Sequence, residues 1–475
     1  MIDTEGYIYF FATVYVLGVI SAFHAIFTAR TPQGAIAWSV SLIAMPYLSV
    51  PLYLVFGRSR FQGYVHARKN QISVVTDALQ DARNKIVADS DNTWLTEEAI
   101  RGIERLSRLP LAGGNQVKLL VDGETTYESM IDGIGAAESY VLIQFYIFRA
   151  DQSGRRFADA LKAKAQEGVT VRFLYDEVGC YQLPNEFVVS LAQSGIEVYP
   201  FNTRKGSRNR TQMNFRNHRK VIVVDGKKSW VGGLNIGDEH LGFNAEFGPW
   251  RDTHLCIDGP ATLGVQVSFV EDWHWSADEI IQGLNWEVPL SRGDSGVVVV
   301  PSGPADSFET AKLMYLQLIN GAQKRLWIAS PYFVPDEGIV SALQLAALRG
   351  VDVRILVPNK PDHMMVGYAT FAYFDEVHKA GIRMYRYTEG FLHQKVTLVD
   401  NKLALVGTAN FDNRSFRLNF EISAICLGDE IVSQVEEMLE KDFAVSYEMG
   451  AAAFSHRGWF FRLAAYVSRL AAPIL

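Results

Sequence analysis

The chain has 475 residues, of which 48% are hydrophobic and 20% charged, and a formal net charge of −7. That length exceeds one ordinary domain, and the low charge content points to some membrane-facing surface. The acidic balance argues against nucleic acid as a partner, and Cys180, Cys256 and Cys426, scattered and without CxxC spacing, make neither a disulfide framework nor a zinc site.

Two uncharged apolar runs open the sequence, Tyr7 to Phe27 and Gly34 to Phe56. Each is long enough at the helical rise to cross a hydrocarbon core. Tyr7, Tyr9, Phe10, Trp38, Tyr53 and Phe56 sit near their ends, where interfacial aromatic belts are expected. Acidic Asp3 and Glu5 precede the first run, so no basic segment marks a signal peptide. Pro46 and Pro51 inside the second run leave a kinked or re-entrant course open there. One cation, Arg30, lies between the runs, and Arg58, Arg60, Arg68 and Lys69 follow them. The positive-inside bias then places everything after Phe56 in the cytoplasm, with the N-terminus on the same side. The expectation is a hairpin of two transmembrane helices over residues 1–62. A helical connector follows over 63–115, with helix-prone stretches at Asp77 to Lys85 and Glu97 to Arg105.

Beyond the connector the chain repeats itself. Strand-like Tyr140 to Phe148 corresponds to Leu326 to Val334, Glu167 to Leu174 to Arg349 to Leu356, and Ser194 to Tyr199 to Ala380 to Tyr385. Strands alternating with helices imply α/β layers with a sheet in each copy, related by a pseudo-twofold. The copies are set at 116–285 and 286–448.

Each copy ends in the same device. His218-Arg219-Lys220 leads through four apolar residues to Asp225-Gly226 and a return strand ending at Gly232-Gly233-Leu234-Asn235. His393-Gln394-Lys395 leads through Val396-Thr397-Leu398-Val399 to Asp400-Asn401 and a return strand ending at Gly407-Thr408-Ala409-Asn410. Both read as β-hairpins. A period of two sets His and Lys on one strand face, while each Asp, at the turn, organises the hairpin. Asn235 and Asn410 close the return strands near that face, as candidate donors to a phosphate oxygen. HxKxxxxD should arise by chance roughly 0.06 times in a chain of this length, and two copies far less often.

In the tail, 449–475, Phe460, Leu463, Val467, Leu470 and Ile474 recur at helical spacing among Arg457, Arg462 and Arg469. An amphipathic helix in the headgroup plane and a helix docked on the protein's own core both fit.

The two motifs, each followed by a Gly-Ser/Thr-x-Asn-like segment, resemble the phospholipase D superfamily over roughly residues 116 to 448. Within it the chain is similar to bacterial cardiolipin synthases. The segments that carry this are Gly232 to Glu239, Trp250-Arg251-Asp252, Ser330 to Asp336 and Gly407 to Glu421, with the leading apolar runs. Gly233 departs from the pattern, since many members carry Ser there, whereas Thr408 keeps a hydroxyl. The resemblance implies two phospholipase D-like α/β sandwiches with one active site between them. It implies a catalytic set of His218, Lys220, Asp225, His393, Lys395 and Asp400, substrate contacts from Asn235, Asn410 and Thr408, and Asp252 and Glu421 orienting the histidines. It also suggests His218 as nucleophile and His393 as acid/base, although the near-symmetric motifs leave that order open.

Two imidazoles and two ammoniums can supply a nucleophile, a proton donor and charge for the phosphoryl oxygens. Neither a metal nor another cofactor is called for. The implied reaction joins two phosphatidylglycerols into cardiolipin and glycerol through a phosphohistidine, in a multi-pass protein of the bacterial inner membrane with a cytoplasmic catalytic domain. Rivals with the same residues are a hydrolytic phospholipase D and a phosphatidyltransferase with another alcohol acceptor. The basic stretch Arg204, Lys205, Arg208, Arg210, Arg216, Arg219 and Lys220 is a candidate contact for the anionic leaflet. The partners expected are the phospholipid membrane, phosphatidylglycerol and cardiolipin, with no nucleic acid; a homo-oligomer is compatible with the sequence.

Overall fold

The computed structural model describes residues 4–57, 60, 61, 63–65, 67, 68, 97–205 and 214–474. Arg58, Lys69, Asp77 to Lys85, Arg208 and Arg210 therefore lie outside the described residues.

The hairpin strands Val221–Val224 and Val396–Val399 are apolar apart from Thr397 and buried throughout, as strands covered from two sides must be. Around each, seven strands line up in matching order. In the first copy the order is Ala112–Val121, Thr253–Asp258, Lys228–Gly232, Val221–Val224, Tyr140–Phe145, Thr170–Asp176 and Glu197–Phe201. In the second it is Ser295–Ser302, Asn419–Leu427, Leu403–Gly407, Val396–Val399, Arg325–Ala329, Asp352–Pro358 and Arg383–Tyr387. The first strand of each copy pairs antiparallel with that of the other, Ala112 opposite Val297, so the two sheets are continuous. They then face each other. Val221, Val223, Val231 and Leu255 share one core with Val396, Leu398, Val406 and Ile422, together with the helices Thr262–Ala277 and Asp429–Ala444. The remaining helices of each copy cover the outer faces. The expected pair of α/β repeats is present. From the connector, the helix Glu97–Ser107 packs with Ile100 and Ile103 in the second copy's outer core.

The turn aspartates explain how each hairpin is locked. Asp225 and Asp400 both have φ of 54°, a left-handed conformation that Asp tolerates better than most residues. Asp225 accepts from the backbone N–H groups of Glu138, Ser139 and Tyr140 at 2.8–2.9 Å. Asp400 does the same for Gln323, Lys324 and Arg325 at 2.7–3.3 Å. Each carboxylate thus ties its turn to the start of the neighbouring strand.

At the N-terminus, Thr4–Thr28 is one helix, and its Gly6–Thr28 part is long and apolar enough to span a bilayer. The second apolar run departs from the expected second span. Pro46 lacks the N–H that a continuous helix needs, and Met45 leaves helical geometry, so the run divides into Pro32–Ala44 and Pro46–Phe56. Contacts along the first helix trace its course. Ser39 reaches the Ala22 carbonyl, a Cβ on Gly18 would lie 2.5 Å from the Leu42 oxygen, and Tyr47 packs on Phe11 and Tyr15. Then Tyr53 OH returns to within 2.7 Å of His24 Nδ1. The run descends beside the first helix, turns at Met45–Pro46 and climbs back to the level at which it began.

The tail helix Trp459–Leu470 is docked on one side and open on the other. Phe461, Ala465 and Arg469 dock on Met364–His378. Trp459, Phe460, Leu463, Val467 and Leu470 stay exposed.

Candidate active site

Each His-x-Lys segment falls in a three-residue break ahead of its hairpin strand rather than on a regular strand face. The cause is a short strand just before it, Arg216–Asn217 or Phe391–Leu392, that pairs with the opposite copy. Asn217 lies beside Phe420 and Leu392 beside Arg251, both in parallel. The His218 N–H then donates to the Phe420 carbonyl at 2.9 Å, and the His393 N–H to the Arg251 carbonyl at 2.8 Å. On each partner strand the next residue is an acid, Glu421 or Asp252.

The consequence is an exchange of acids between copies. His218 Nδ1 stands 2.9 and 3.0 Å from the two Glu421 oxygens, and His393 Nδ1 2.7 Å from Asp252 Oδ2. A carboxylate only accepts, so it assigns the proton to Nδ1 and leaves the Nε2 lone pair free. The histidines are 7% and 8% exposed and both acids are fully buried.

Glu421 also accepts from Thr408 Oγ1 at 2.5 Å and Asn419 Nδ2 at 3.1 Å. At the matching position a Cβ on Gly233 would lie 2.0 Å from Asp252 Oδ1. The shorter acid lies against the backbone there, in space that a side chain would need. That accounts for glycine in place of a hydroxyl residue.

Lys220 Nζ donates to the His218 carbonyl at 2.7 Å and lies over the Tyr146 ring. Lys395 Nζ likewise donates to the His393 carbonyl and lies 2.9 Å from His393 Nδ1. Burial lowers both lysines, Lys220 to about 7 and Lys395 to about 8, against the pull of Glu421 and Asp252 on each. His218 is lowered to about 4, by burial first and then by Lys220 and Lys395, against Glu421. His393 is held well below its usual value by burial, Lys395, Lys220 and His218. Burial would raise Glu421, but His218, Lys220 and Thr408 bring it below the usual carboxylate range. The two pairs thus act on one another as a single cluster, able to attract a phosphate through desolvated cations.

Asn235 Oδ1 accepts from the Ile147 N–H at 3.1 Å, while Asn410 Oδ1 is buried without a partner among the described residues. Asp225 and Asp400 stand at the turns described above. Aromatic rings wall the histidines, Tyr146 against His218 and Trp250 and Phe391 against His393.

The middle residues of the motifs hold a layer that sequence reasoning missed. Arg219 donates to Asp272 at 2.9 Å, and Asp272 also accepts from Tyr64, Gln144 and Asn217. In the second copy the neutral Gln394 donates to Asp442, whose cation is Arg251 of the first copy, at 2.8 Å. Arg219 is therefore buried in an ion pair and does not face a leaflet, because Asp272 offsets its desolvation there. Lys220, also buried, leaves that surface too, and Arg204 and Lys205 pair with Glu177 and Asp278. No motif signals Asp272 or Asp442; only a charged residue between His and Lys hints at a buried partner.

The fold and the paired His-Lys clusters define a phospholipase D-like enzyme. The family model for the cardiolipin synthase, PLD-like domain matches residues 130–254 and 315–443, and the phospholipase D-nuclease N-terminal model matches 16–58. Among curated proteins, cardiolipin synthase A of Pseudomonas fluorescens Pf-5 is 44% identical over 98% of each chain. Cardiolipin synthase A of Pseudomonas aeruginosa is 45% identical over 97% of this chain and 95% of the other. In fold the chain is similar to a phosphatidylserine synthase from Haemophilus influenzae, with a TM-score of 0.62, 16% identity and coverage of 80% of this chain and all of that one. The chain belongs to the cardiolipin synthase family of phospholipase D-like proteins.

Proposed function

We propose that the chain joins two phosphatidylglycerols into cardiolipin and glycerol through a phosphohistidine. As a member of its family it is a phosphatidyltransferase that acts on phospholipids. The observation that carries the mechanism is the crossed pair of buried carboxylate-bound histidines with a lysine beside each. In the proposed first step, His218 Nε2 attacks phosphorus and the bond to the glycerol oxygen breaks. His393 gives that oxygen a proton. In the second step His393 takes the proton of an incoming phosphatidylglycerol hydroxyl, whose oxygen displaces His218. The incoming phosphate's negative charge offsets the burial and like charge that otherwise keep His393 neutral. Lys220 and Lys395 hold the non-bridging oxygens, and Asn410 offers its amide to the same group. With that charge supplied by side chains, a divalent ion is not called for.

The spanning helix and the family associate the protein with a membrane. We read this as the bacterial inner membrane, with the catalytic part cytoplasmic. The folded-back second run favours one crossing plus a re-entrant loop over the two crossings expected from the apolar runs. That course gathers Arg30, Arg60 and Arg68 on the side of the catalytic body, which the positive-inside bias favours. The exposed apolar stripe of Trp459–Leu470 would lie in the same headgroup plane.

Incubating the purified protein with labelled phosphatidylglycerol alone tests the reading. Cardiolipin and free glycerol in equal amounts are expected, whereas accumulation of phosphatidic acid would identify a hydrolase.

A further inference from the structure

A second basic constellation lies away from the catalytic pair, where the membrane part meets the catalytic body. Arg30 precedes the folded-back run and Arg60 follows it, so the turn at Met45–Pro46 brings the two together. With Thr28, Ser307, Glu309 and Arg417 they line a cavity of about 670 Å³. None of the motif histidines or lysines lines it.

Three guanidiniums, of Arg30, Arg60 and Arg417, and two carboxylates, of Asp306 and Glu309, line the cavity. Arg30 donates to Glu309 at 3.3 Å and to the Arg417 carbonyl at 3.2 Å. Arg417 donates to the same Glu309 oxygen at 3.0 Å, and Lys312 lies 3.4 Å from its other oxygen. Arg60 donates to the Ser307 carbonyl at 3.0 Å. Asp306, the other carboxylate of the lining, is engaged by Arg68 at 2.9 Å, and Asp336 by Arg417 at 2.5 Å and Lys312 at 2.6 Å, so Glu309 is shared by Arg30 and Arg417. Arg30 is lowered to about 10, by burial first and by Arg417 and Arg60, in spite of Glu309. Two large apolar side chains stand at the rim in water-accessible positions, Phe27 at 84% and Phe308 at 67% exposed. The cavity sits at the Thr28 end of the apolar helix Gly6–Thr28, where a helix long enough to cross the hydrocarbon core would reach the phosphate headgroups.

We propose that this cavity seats the phosphodiester of an anionic phospholipid as a non-catalytic site. Arginine forks match phosphate oxygens in pairs, and a juxtamembrane cation cluster draws anionic lipid from the leaflet. The acyl chains would run along the exposed apolar face of Thr4–Thr28, past Phe27. The bound lipid would anchor the catalytic body against the membrane at the point where the re-entrant loop returns. The proposal is independent of the transfer chemistry, since it uses none of that machinery.

Native mass spectrometry of the full-length protein carrying His218→Ala, which blocks turnover, tests it. Phosphatidylglycerol, phosphatidylcholine and inorganic phosphate are offered separately in detergent. The expected result is retention of phosphatidylglycerol over phosphatidylcholine, with one bound equivalent lost on Arg30→Gln with Arg60→Gln. Glu309→Gln, which removes the carboxylate that Arg30 and Arg417 share, should raise retention about threefold or more, a gain that a damaged fold cannot mimic. Equal retention of phosphatidylcholine would overturn the proposal. So would unchanged phosphatidylglycerol retention in both variants, or capture of inorganic phosphate to the exclusion of lipid. Failure of wild-type protein to make cardiolipin would bear on the transfer reaction and leave this result standing.

Discussion

His393 takes its carboxylate from the other half of the chain: Asp252 Oδ2 lies 2.7 Å from its Nδ1, as Glu421 of the second half lies beside His218 of the first. Neither copy completes its own histidine. Asp252→Asn and Glu421→Gln should each lower kcat by about 100-fold or more, the scale of a positioned acid-base group, with little change in KM. Steady-state kinetics on both variants checks this, and an unaltered kcat in either would separate the acids from the chemistry.

The order of the histidines is open to direct trapping. With phosphatidylglycerol labelled at phosphorus, His393→Ala should keep an acid-labile label on the protein, because the intermediate forms slowly and is not resolved. His218→Ala should keep none. Label on the His218→Ala protein would reverse the assignment.

Activity should fall on the basic side. Lys220 and Lys395, lowered by burial to about 7 and about 8, bind phosphate only while charged, so raising the pH past those values removes the attraction. On the acid side His218, lowered to about 4, stays neutral and nucleophilic through most of the weakly acidic range. The pH profile of kcat/KM should therefore decline above about pH 7 to 8. The limb in kcat should lie higher, because a bound phosphate raises the lysine values. A profile flat to pH 10 would contradict this charge assignment.

Gly233→Ala should inactivate without unfolding. The added Cβ would meet Asp252 Oδ1 at 2.0 Å, so the carboxylate must move from His393. The melting temperature should change little while kcat falls at least tenfold. Thr408→Ser, on the opposite side, should keep its hydrogen bond to Glu421 and most activity.

Asp400→Asn isolates the turn. Asn tolerates the left-handed backbone as Asp does, so any loss reports the three N–H contacts rather than strain. Charge-assisted hydrogen bonds contribute about 1.5–3 kcal/mol, and a fall in melting temperature of several degrees is expected. The folded fraction should retain turnover; a stable but inactive variant would give Asp400 a part in the chemistry.

The repeat, the hairpins and the family were legible because they are written in local order: apolar runs, turn dipeptides and a motif at fixed spacing. The exchange of Asp252 and Glu421 was not, since it depends on short strands, Arg216–Asn217 and Phe391–Leu392, that pair across the copies and are too brief to leave a pattern. Arg219 looked like part of a surface stretch because its neighbours in sequence are basic; its partner Asp272 is distant in the chain and carries no signature. For Gly34 to Phe56, hydrophobicity fixed the environment, and Pro46 only hinted at the course. The turn back to His24 is set by packing on the first helix.

The join between the sheets has a mechanical consequence. Ala112–Val121 and Ser295–Ser302 are neighbouring strands, and the two halves bury Val223, Leu255, Leu398 and Ile422 in common. Parting the halves would expose these and their neighbours at about 1.5–3 kcal/mol for each side chain, far beyond thermal reach. A hinge at this seam is therefore closed to the enzyme, and substrate entry falls to loops and side chains at the mouth. The distance between the two imidazoles is set when the chain folds, so a lipid arrives at a finished anvil and does not assemble one by closing it.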